Sequence, residues 1–416
     1  MKTNFGEDFR TNIEDSAQPD WIKQIRRSAF GKFEENGFPT PKDEEWKYTD
    51  LRSVAAGDWR LADAKRVRTG DDGESILFCD GTLVRLQKGL EDIQGLRVLP
   101  FSEAAEDPVF AGAFAKICGE DESALAALNL GFAENGVFIH VAANAAVDVP
   151  LRVEFQSVSD AAVFPRILYV GEKGSSAELL EIYDRELEHQ NLTVPVTEIS
   201  LADNARLVHV RVQRESAKAF HIGLSKAVLS RDSYYDSTNI NFGGRIARHD
   251  ANLEFTAENG EAFVDGLYIT SDGQHADTHS RIDHKVKNCV SHQNYKGILD
   301  GKSRAIFNGK VFVHRDASGT DAEQSNKNLL LSNDARVDTK PQLEIFNDDV
   351  KCSHGATVGQ LEESEMFYLL SRGLNENLAR NLLTYGFAEE IINKIGVEDL
   401  KRDLDAAVLG RLKADI

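Results

Sequence analysis

Cysteine is scarce in this chain. Its four residues among 416, Cys79, Cys118, Cys289 and Cys352, lie far apart and form no Cys-x-x-Cys pair. That argues against a zinc ribbon and against a complete four-cysteine cluster site. In a reducing compartment it predicts free thiols, most of them buried. An excess of positive charge is missing as well: 48 Lys and Arg face 68 Asp and Glu, a formal charge of −20. A chain so acidic lacks the basic footprint that a nucleic-acid backbone or an anionic membrane demands. Long apolar runs are absent, and Met1-Lys-Thr-Asn-Phe-Gly6 has no signal-peptide core. The expectation is a soluble protein of the cytoplasm, or of the plastid stroma in a eukaryote.

Catalytic signatures are wanting too. Gly301-Lys302-Ser303 looks like the end of a phosphate-binding loop, but the glycine required five positions earlier is Lys296. Out of register, the backbone amides cannot wrap a phosphate, so a turn between two strands is expected there. His275, His279, His284, Cys289 and His292 crowd together, and His275-x-x-x-His279 has metalloprotease spacing. The motif's glutamate is missing, however, with Asp277 and Thr278 ahead of His279, and on a strand these residues are an ordinary polar face. No Ser/His/Asp or Cys/His/Asn order suggests a hydrolase, and no carboxylate pair has a recognisable spacing.

What remains is an ordinary globular composition, 41% hydrophobic and 28% charged, with a marked change of grammar along the chain. Residues 18 to about 60 read as helical, with Trp21, Ile22, Ile25, Phe30 and Phe33 near one face, and Asn36-Gly37-Phe38-Pro39 breaks that pattern. Ser102 to Leu130 is a second, alanine-rich helical patch. From Gly136 short alternating runs follow one another, from Val137-Phe-Ile-His-Val141 to Lys310-Val-Phe-Val313, punctuated by Asp203-Asn204, Asn259-Gly260, Asp272-Gly273 and Asp300-Gly301. These are strands and turns without helices between them. Ala177, Ala205, Tyr234 and Ala262 recur at about 28 residues, a solenoid-like period. Periodicity alone leaves a β-helix and a β-sandwich both open. After Gln360 helical patterning returns: Leu378, Leu382 and Leu383 form an apolar stripe, Asn375 is a candidate N-cap and Gly386 a candidate C-cap. The expected organisation is a helical region with mixed segments over 1–135, a β core over 136–358, and a helical region over 359–416.

Near the end of the β core, Val350, Cys352 and His354 share one parity, so an extended strand sends their side chains to one face. A soft sulfur beside an imidazole suits iron, zinc or sulfur transfer; the bland alternative is a buried thiol next to a hydrogen-bonded histidine. Asp348, Asp349, Glu362, Glu363 and Glu365 surround the pair, by default as a solvated acidic surface.

The segments Asn326-Lys-Asn-Leu-Leu-Leu-Ser332, Lys340-Pro-Gln-Leu-Glu-Ile345, Asp348-Asp-Val-Lys-Cys-Ser-His-Gly-Ala-Thr357 and Ser371-Arg-Gly-Leu374 closely resemble the C-terminal signature of the SufB/SufD family, which builds iron–sulfur clusters. Pro41-Lys-Asp-Glu-Glu-Trp-Lys-Tyr-Thr-Asp-Leu51 is similar to its N-terminal motif. Within the family, Lys351-Cys-Ser-His-Gly-Ala-Thr357 and the modest length point to the SufD side. The resemblance implies a right-handed parallel β-helix flanked by helices, and a non-catalytic scaffold subunit of the SUF complex. It implies pairing with SufB through the C-terminal end of the β-helix and docking of the ATPase SufC on the C-terminal helices, where Leu378, Leu382 and Leu383 lie. His354, and less firmly Cys352, would contribute to a transient iron–sulfur cluster shared with SufB; the chain alone would hold no metal. A reduced flavin would belong to the complex only, and a homodimer is the alternative state of the isolated chain. The rival class is an autonomous β-helix enzyme acting on a polysaccharide, which needs a cleft of carboxylates or basic residues on adjacent coils.

Overall fold

A residue in left-handed backbone geometry stands at one corner of each successive coil. Asn144, Gly174, Asn204, Asp232, Asn259, Asn288 and Gly319 all have φ between +54° and +74°. Each donates its backbone N–H to a carbonyl at the same corner one coil further along: Asn144 to Lys173, Gly174 to Asp203, Asn204 to Arg231, and so on to Gly319 and Asp349. Asn, Asp and Gly recur there because they alone enter that region cheaply. The computed structural model describes residues 5–62, 73–185 and 188–412 (of Arg185, the backbone only). These build a mainly β protein whose core is a parallel β-solenoid of about eight turns, with helices at both ends of the chain.

The chain alternates between two sheets. One runs from Ile76–Cys79 through Leu151–Ser157, Ser176–Arg185, Arg206–Gln213, Tyr234–Asn241, Glu261–Thr270, Val290–Leu299 and Thr320–Leu330 to Val350–Gly359. The other runs from Val137–Val141 through Arg166–Gly171, Val196–Leu201, Phe220–Leu229, Ile246–Phe255, His275–His284 and Arg304–Val313 to Arg336–Ile345. Strands also form before residue 136: Ile76–Cys79 joins the first sheet in parallel, while Thr82–Arg85 and Leu96–Pro100 add antiparallel edges. Gly301-Lys302-Ser303 is a turn between Val290–Leu299 and Arg304–Val313, as its failed loop register predicts.

Helices clothe the outer faces. Phe5–Asp15, Asp20–Asn36 and Ala124–Gly131 bury Phe9, Phe30 and Leu128 with Phe220 and Ile246 of the second sheet. Glu376–Ile392 and Glu398–Arg411 bury Ile391, Ile392, Leu404 and Val408 on Val210, Ile240 and Leu267 of the first. Asn375 caps the first of these two by accepting from the Leu378 N–H. Gly386 is not a C-cap; the helix continues through it to Ile392 because Ala388, Ile391 and Ile392 extend the buried face. The helix Asp20–Asn36 ends before Gly37 at φ 67°, where Asn36-Gly37-Phe38-Pro39 predicts a break, and only short helices follow it up to residue 60. The repeat is in phase at Ala177 and Ala262 only. The stacked column is Ala177, Leu207, Tyr235, Ala262, Ser291, Ala322 and Cys352.

The lumen between the sheets is unusually polar. Aliphatic and aromatic columns fill its first coils, but Glu181, His209, Arg211, Glu215, His221 and His249 occupy its middle and are all buried. Glu181 accepts from Thr197 at 2.8 Å and Tyr183 at 2.7 Å, and sits 3.0 Å from His209 and 3.2 Å from Arg211. Burial opposes ionisation of Glu215, but the His221 imidazole, Thr193 and Asn191 outweigh it and hold its pKa at about 2. Burial keeps His249 and His284 neutral, pushing His249 well below the usual imidazole range and His284 to about 4.

These depressed groups set a pH dependence. An unfolded chain protonates His249 and His284 below pH of about 6.5, while the folded lumen resists. The stability these two groups contribute is therefore fully present above that pH and is lost as pH falls toward 4. The loss from His284 alone is about 3 kcal/mol. Urea unfolding at pH 7.5 and pH 4.5 is expected to show a markedly lower midpoint at the acid end.

Candidate functional site

Among the described residues, none caps the end of the solenoid. Val350–Gly359 pairs with Thr320–Leu330 on one side only, and Arg336–Ile345 likewise has one free edge. Side chains that face the lumen in every earlier coil therefore face an opening in the last one. Cys352, His354, Ala356 and Val358 stack on Ala322, Gln324, Asn326 and Asn328, which are all buried inside. Cys352 and His354 thus lie about 7 Å apart along one strand face and look out of the lumen mouth. Cys352 is half-buried among Val311, Ala322 and Leu343. That burial, and then the nearby charge of Asp321, raise its thiol above the ordinary range, so at neutral pH it is a thiol rather than a thiolate. His354 is exposed. Among the described residues no group of three or more His, Cys, Asp or Glu is placed to hold a metal ion. The other thiols lie elsewhere: Cys79, Cys118 and Cys289 are buried, and burial pushes Cys118 to about 12.

Apolar surface gathers around the same end. Ile345, Phe346 and Val358 are exposed at the free edges. The helix Glu363–Ser371 buries none of its residues; Phe367 is 73% exposed and Tyr368 55%. On the following helix, Leu382 is exposed and Leu378 and Leu383 half-buried, on the side away from the buried Thr384, Ala388 and Ile391. A groove of about 430 Å³ runs between Thr357–Gln360 and Leu383 and Phe387. The sequence reading found the leucine stripe and missed Phe367 and Tyr368, whose flanking acidic residues made that segment look merely solvated. Asp348, Asp349, Glu362, Glu363 and Glu365 are indeed exposed.

A family model described as "SUF system FeS cluster assembly, SufBD core domain" matches residues 154–387, and one for the SufBD protein N-terminal region matches 3–90. An iron–sulfur cluster assembly SufBD family protein of Synechocystis is 33% identical, covering 89% of this chain and 86% of its own length. The iron–sulfur cluster assembly protein SufD of Escherichia coli is 29% identical, covering 90% of both chains. The chain belongs to the SufBD family. A chloroplastic relative from Arabidopsis thaliana, protein ABCI7, is 32% identical over 60% of this chain and 53% of its own. The SufBD family places the chain in iron–sulfur cluster assembly; none of the described helices is long and apolar enough to cross a membrane.

The other histidine-rich stretch is not brought together. His284 points into the lumen, where its Nε2 meets Ser291 at 2.8 Å, while His292 lies outside on the opposite sheet against Phe263. His275, Asp277 and His279 face outward, as strand parity requires, but they are not left to solvent. The N-terminal SufBD motif crosses them as a strap. Thr49 donates to Asp277 at 2.5 Å and meets His275 at 2.8 Å, Glu45 reaches His279 at 3.3 Å, and the Trp46 ring lies 3.8 Å under Arg248. Arg248 in turn binds Asp277 at 3.0 Å. Burial would lower His279, yet Asp277 outweighs it and raises the imidazole to about 9. Beside the strap lies a cleft of about 880 Å³. Its cations are neutralised within it or at its rim: Lys226 by Glu122, Arg281 by Asp283, Lys285 by Glu254 and Lys310 by Glu344. Sequence reading missed the strap because Thr49 and Asp277 meet across 228 residues with no periodic signal to join them.

Removing Asp277 would take the buried counter-charge from Arg248 and His279 and leave them only the more exposed Asp250 and Glu45. Asp277→Ala is expected to cost about 3–5 kcal/mol of unfolding free energy, read by urea denaturation. Glu44→Ala, whose contact with Lys340 is solvent-exposed, is expected to stay within about 1 kcal/mol of the parent.

Proposed function

We propose that this SufBD-family chain is a non-catalytic scaffold subunit that forms half of a cluster-building site, with a SufB-type partner supplying the other half. The observation that carries this reading is that Cys352 and His354 share the lumen-facing side of an unpaired edge strand. A free edge offers a row of main-chain donors and acceptors that a second chain's strand satisfies. Such pairing would continue the solenoid, cover Ile345, Phe346 and Val358, and enclose Cys352 and His354 with the partner's ligands. Two ligands fall short of a cluster's demand; the nascent cluster, as cargo, is held only once the partner contributes. His354 supplies an imidazole nitrogen. Cys352 supplies sulfur only after losing its proton, which approach of a metal ion promotes. A reduced flavin, if the assembly uses one, lies outside this chain.

The C-terminal helices dock an ATPase of the SufC type. Phe367, Tyr368 and the stripe of Leu378, Leu382 and Leu383 form its landing surface, since contiguous exposed apolar groups mark interaction sites. The opposite faces of Glu376–Ile392 and Glu398–Arg411 are anchored on Ile240 and Leu267 of the solenoid. Strain from ATP-driven dimerisation would thus pass into the sheet that ends in Val350–Gly359. Work in the cytoplasm or plastid stroma follows from this role. A polysaccharide-active enzyme is disfavoured, because Lys226, Arg281, Lys285 and Lys310 of the large cleft beside the strap are each held by a carboxylate.

Two measurements test the proposal. His354→Ala, at an exposed position, is expected to leave unfolding unchanged yet lower cluster yield of the co-expressed assembly by roughly tenfold; full yield from a stable assembly refutes the assignment. Leu382→Asp places its charge in solvent, so circular dichroism should stay native while ATPase affinity falls by about tenfold, or about 1–2 kcal/mol. A folded variant that binds the ATPase fully would remove the stripe from the interface.

A further inference from the structure

The carboxamide of Gln324 breaks the ordinary rule of a protein interior. It is 1% exposed, yet neither its Oε1 nor its Nε2 finds a hydrogen-bond partner among the described residues. Buried amides are almost always satisfied, so a doubly orphaned one calls for an explanation. Its position supplies one. Strand register places Gln324 directly beneath His354, on the same lumen-facing side and one strand spacing of about 4.8 Å away. Behind it in the same column stands Gln293, whose Oε1 accepts from Ser280 at 2.6 Å and whose Nε2 is also unpartnered. Across the lumen, Gly309 makes the room: a Cβ there would come within 2.2 Å of Gln324 Nε2. The amino end lies against Gly309, and the carbonyl oxygen, equally without a partner, is the end able to accept a proton.

The group that stands at the mouth in this column is the His354 imidazole. A metal-binding imidazole needs one bare nitrogen, and its other nitrogen then carries the proton. Which nitrogen is bare, and which way the ring faces, is set by the acceptor that holds the N–H.

We propose that Gln324 is a positioning residue for His354: its carbonyl oxygen accepts the imidazole N–H from inside the lumen, fixes one tautomer, and turns the bare nitrogen out of the mouth. The inference rests on reading His354 as a cluster ligand, but its test does not. In the full-length chain labelled with ¹⁵N-histidine, the His354 tautomer is read from ring nitrogen shifts and two-bond couplings, with His354→Gln giving the assignment. One tautomer is expected in the parent, a mixture in Gln324→Leu, and one again in Gln324→Glu, whose carboxylate accepts the same proton. In the co-expressed assembly, cluster yield is expected to fall roughly tenfold in Gln324→Leu and to recover in Gln324→Glu. An unchanged single tautomer in Gln324→Leu overturns the proposal whatever the cluster yield. Full yield from His354→Ala would instead overturn the ligand reading and leave the tautomer result standing. Should the leucine variant fail to fold, Gln324→Met, of similar length and without a strong acceptor, makes the same comparison.

Discussion

Everything in this molecule depends on how a coil fills its own inside. Two parallel sheets face each other across a narrow lumen, and an inward side chain has neighbours only across the gap and in the coils directly above and below. Contacts are therefore passed along columns one strand spacing at a time. A column works while it has a next member. At Val350–Gly359 the series stops, and the same geometry that buries Ala322 and Gln324 leaves Cys352 and His354 facing an opening. The proposed site needs no special loop or distortion to expose them; it is what the repeat becomes where it ends.

That constraint also explains which strands were legible. Runs such as Leu151-Arg-Val-Glu-Phe155 and Ala251-Asn-Leu-Glu-Phe255 alternate apolar with polar, and the eye finds them. Tyr234–Asn241 and His275–His284 do not alternate in that way, because their inward positions carry Ser237, Asn239, Thr278 and His284. A polar lumen removes the contrast on which strand reading relies. The turns were more readable, since left-handed corners restrict the residue type whatever the lumen holds. This is why Asn204, Asn259 and Gly273 marked the coils correctly while Ala205 and Tyr234 slipped out of phase. Strands ahead of residue 136 escaped notice for another reason: their partners, such as Val153 for Ile76, lie too far along the chain for any local pattern to connect them.

The candidate site was readable in its chemistry and its parity, because a strand fixes the face that Cys352 and His354 share. Its exposure was not readable. Nothing in Lys351-Cys-Ser-His354 says that no further coil covers them, and nothing at Gln324 marks an amide without partners. The strap was opaque for a related reason. Glu45, Trp46 and Thr49 stood out only as part of a motif, and their work on Asp277, His279 and Arg248 emerges from tertiary packing alone.

The two ends of the solenoid differ in kind. Toward the start of the chain the antiparallel edges Thr82–Arg85 and Leu96–Pro100 are short, and Leu90 and Leu96 plug the apolar lumen. Toward the other end two ten-residue edges stand open. In the language of polymer chemistry, such a unit is monofunctional. A stacking repeat with two open ends can add units without limit and grow into a fibre; one with a single open end terminates whatever it joins. Pairing at this edge yields a closed two-unit rod and then stops, so a long exposed strand edge carries little danger of runaway growth.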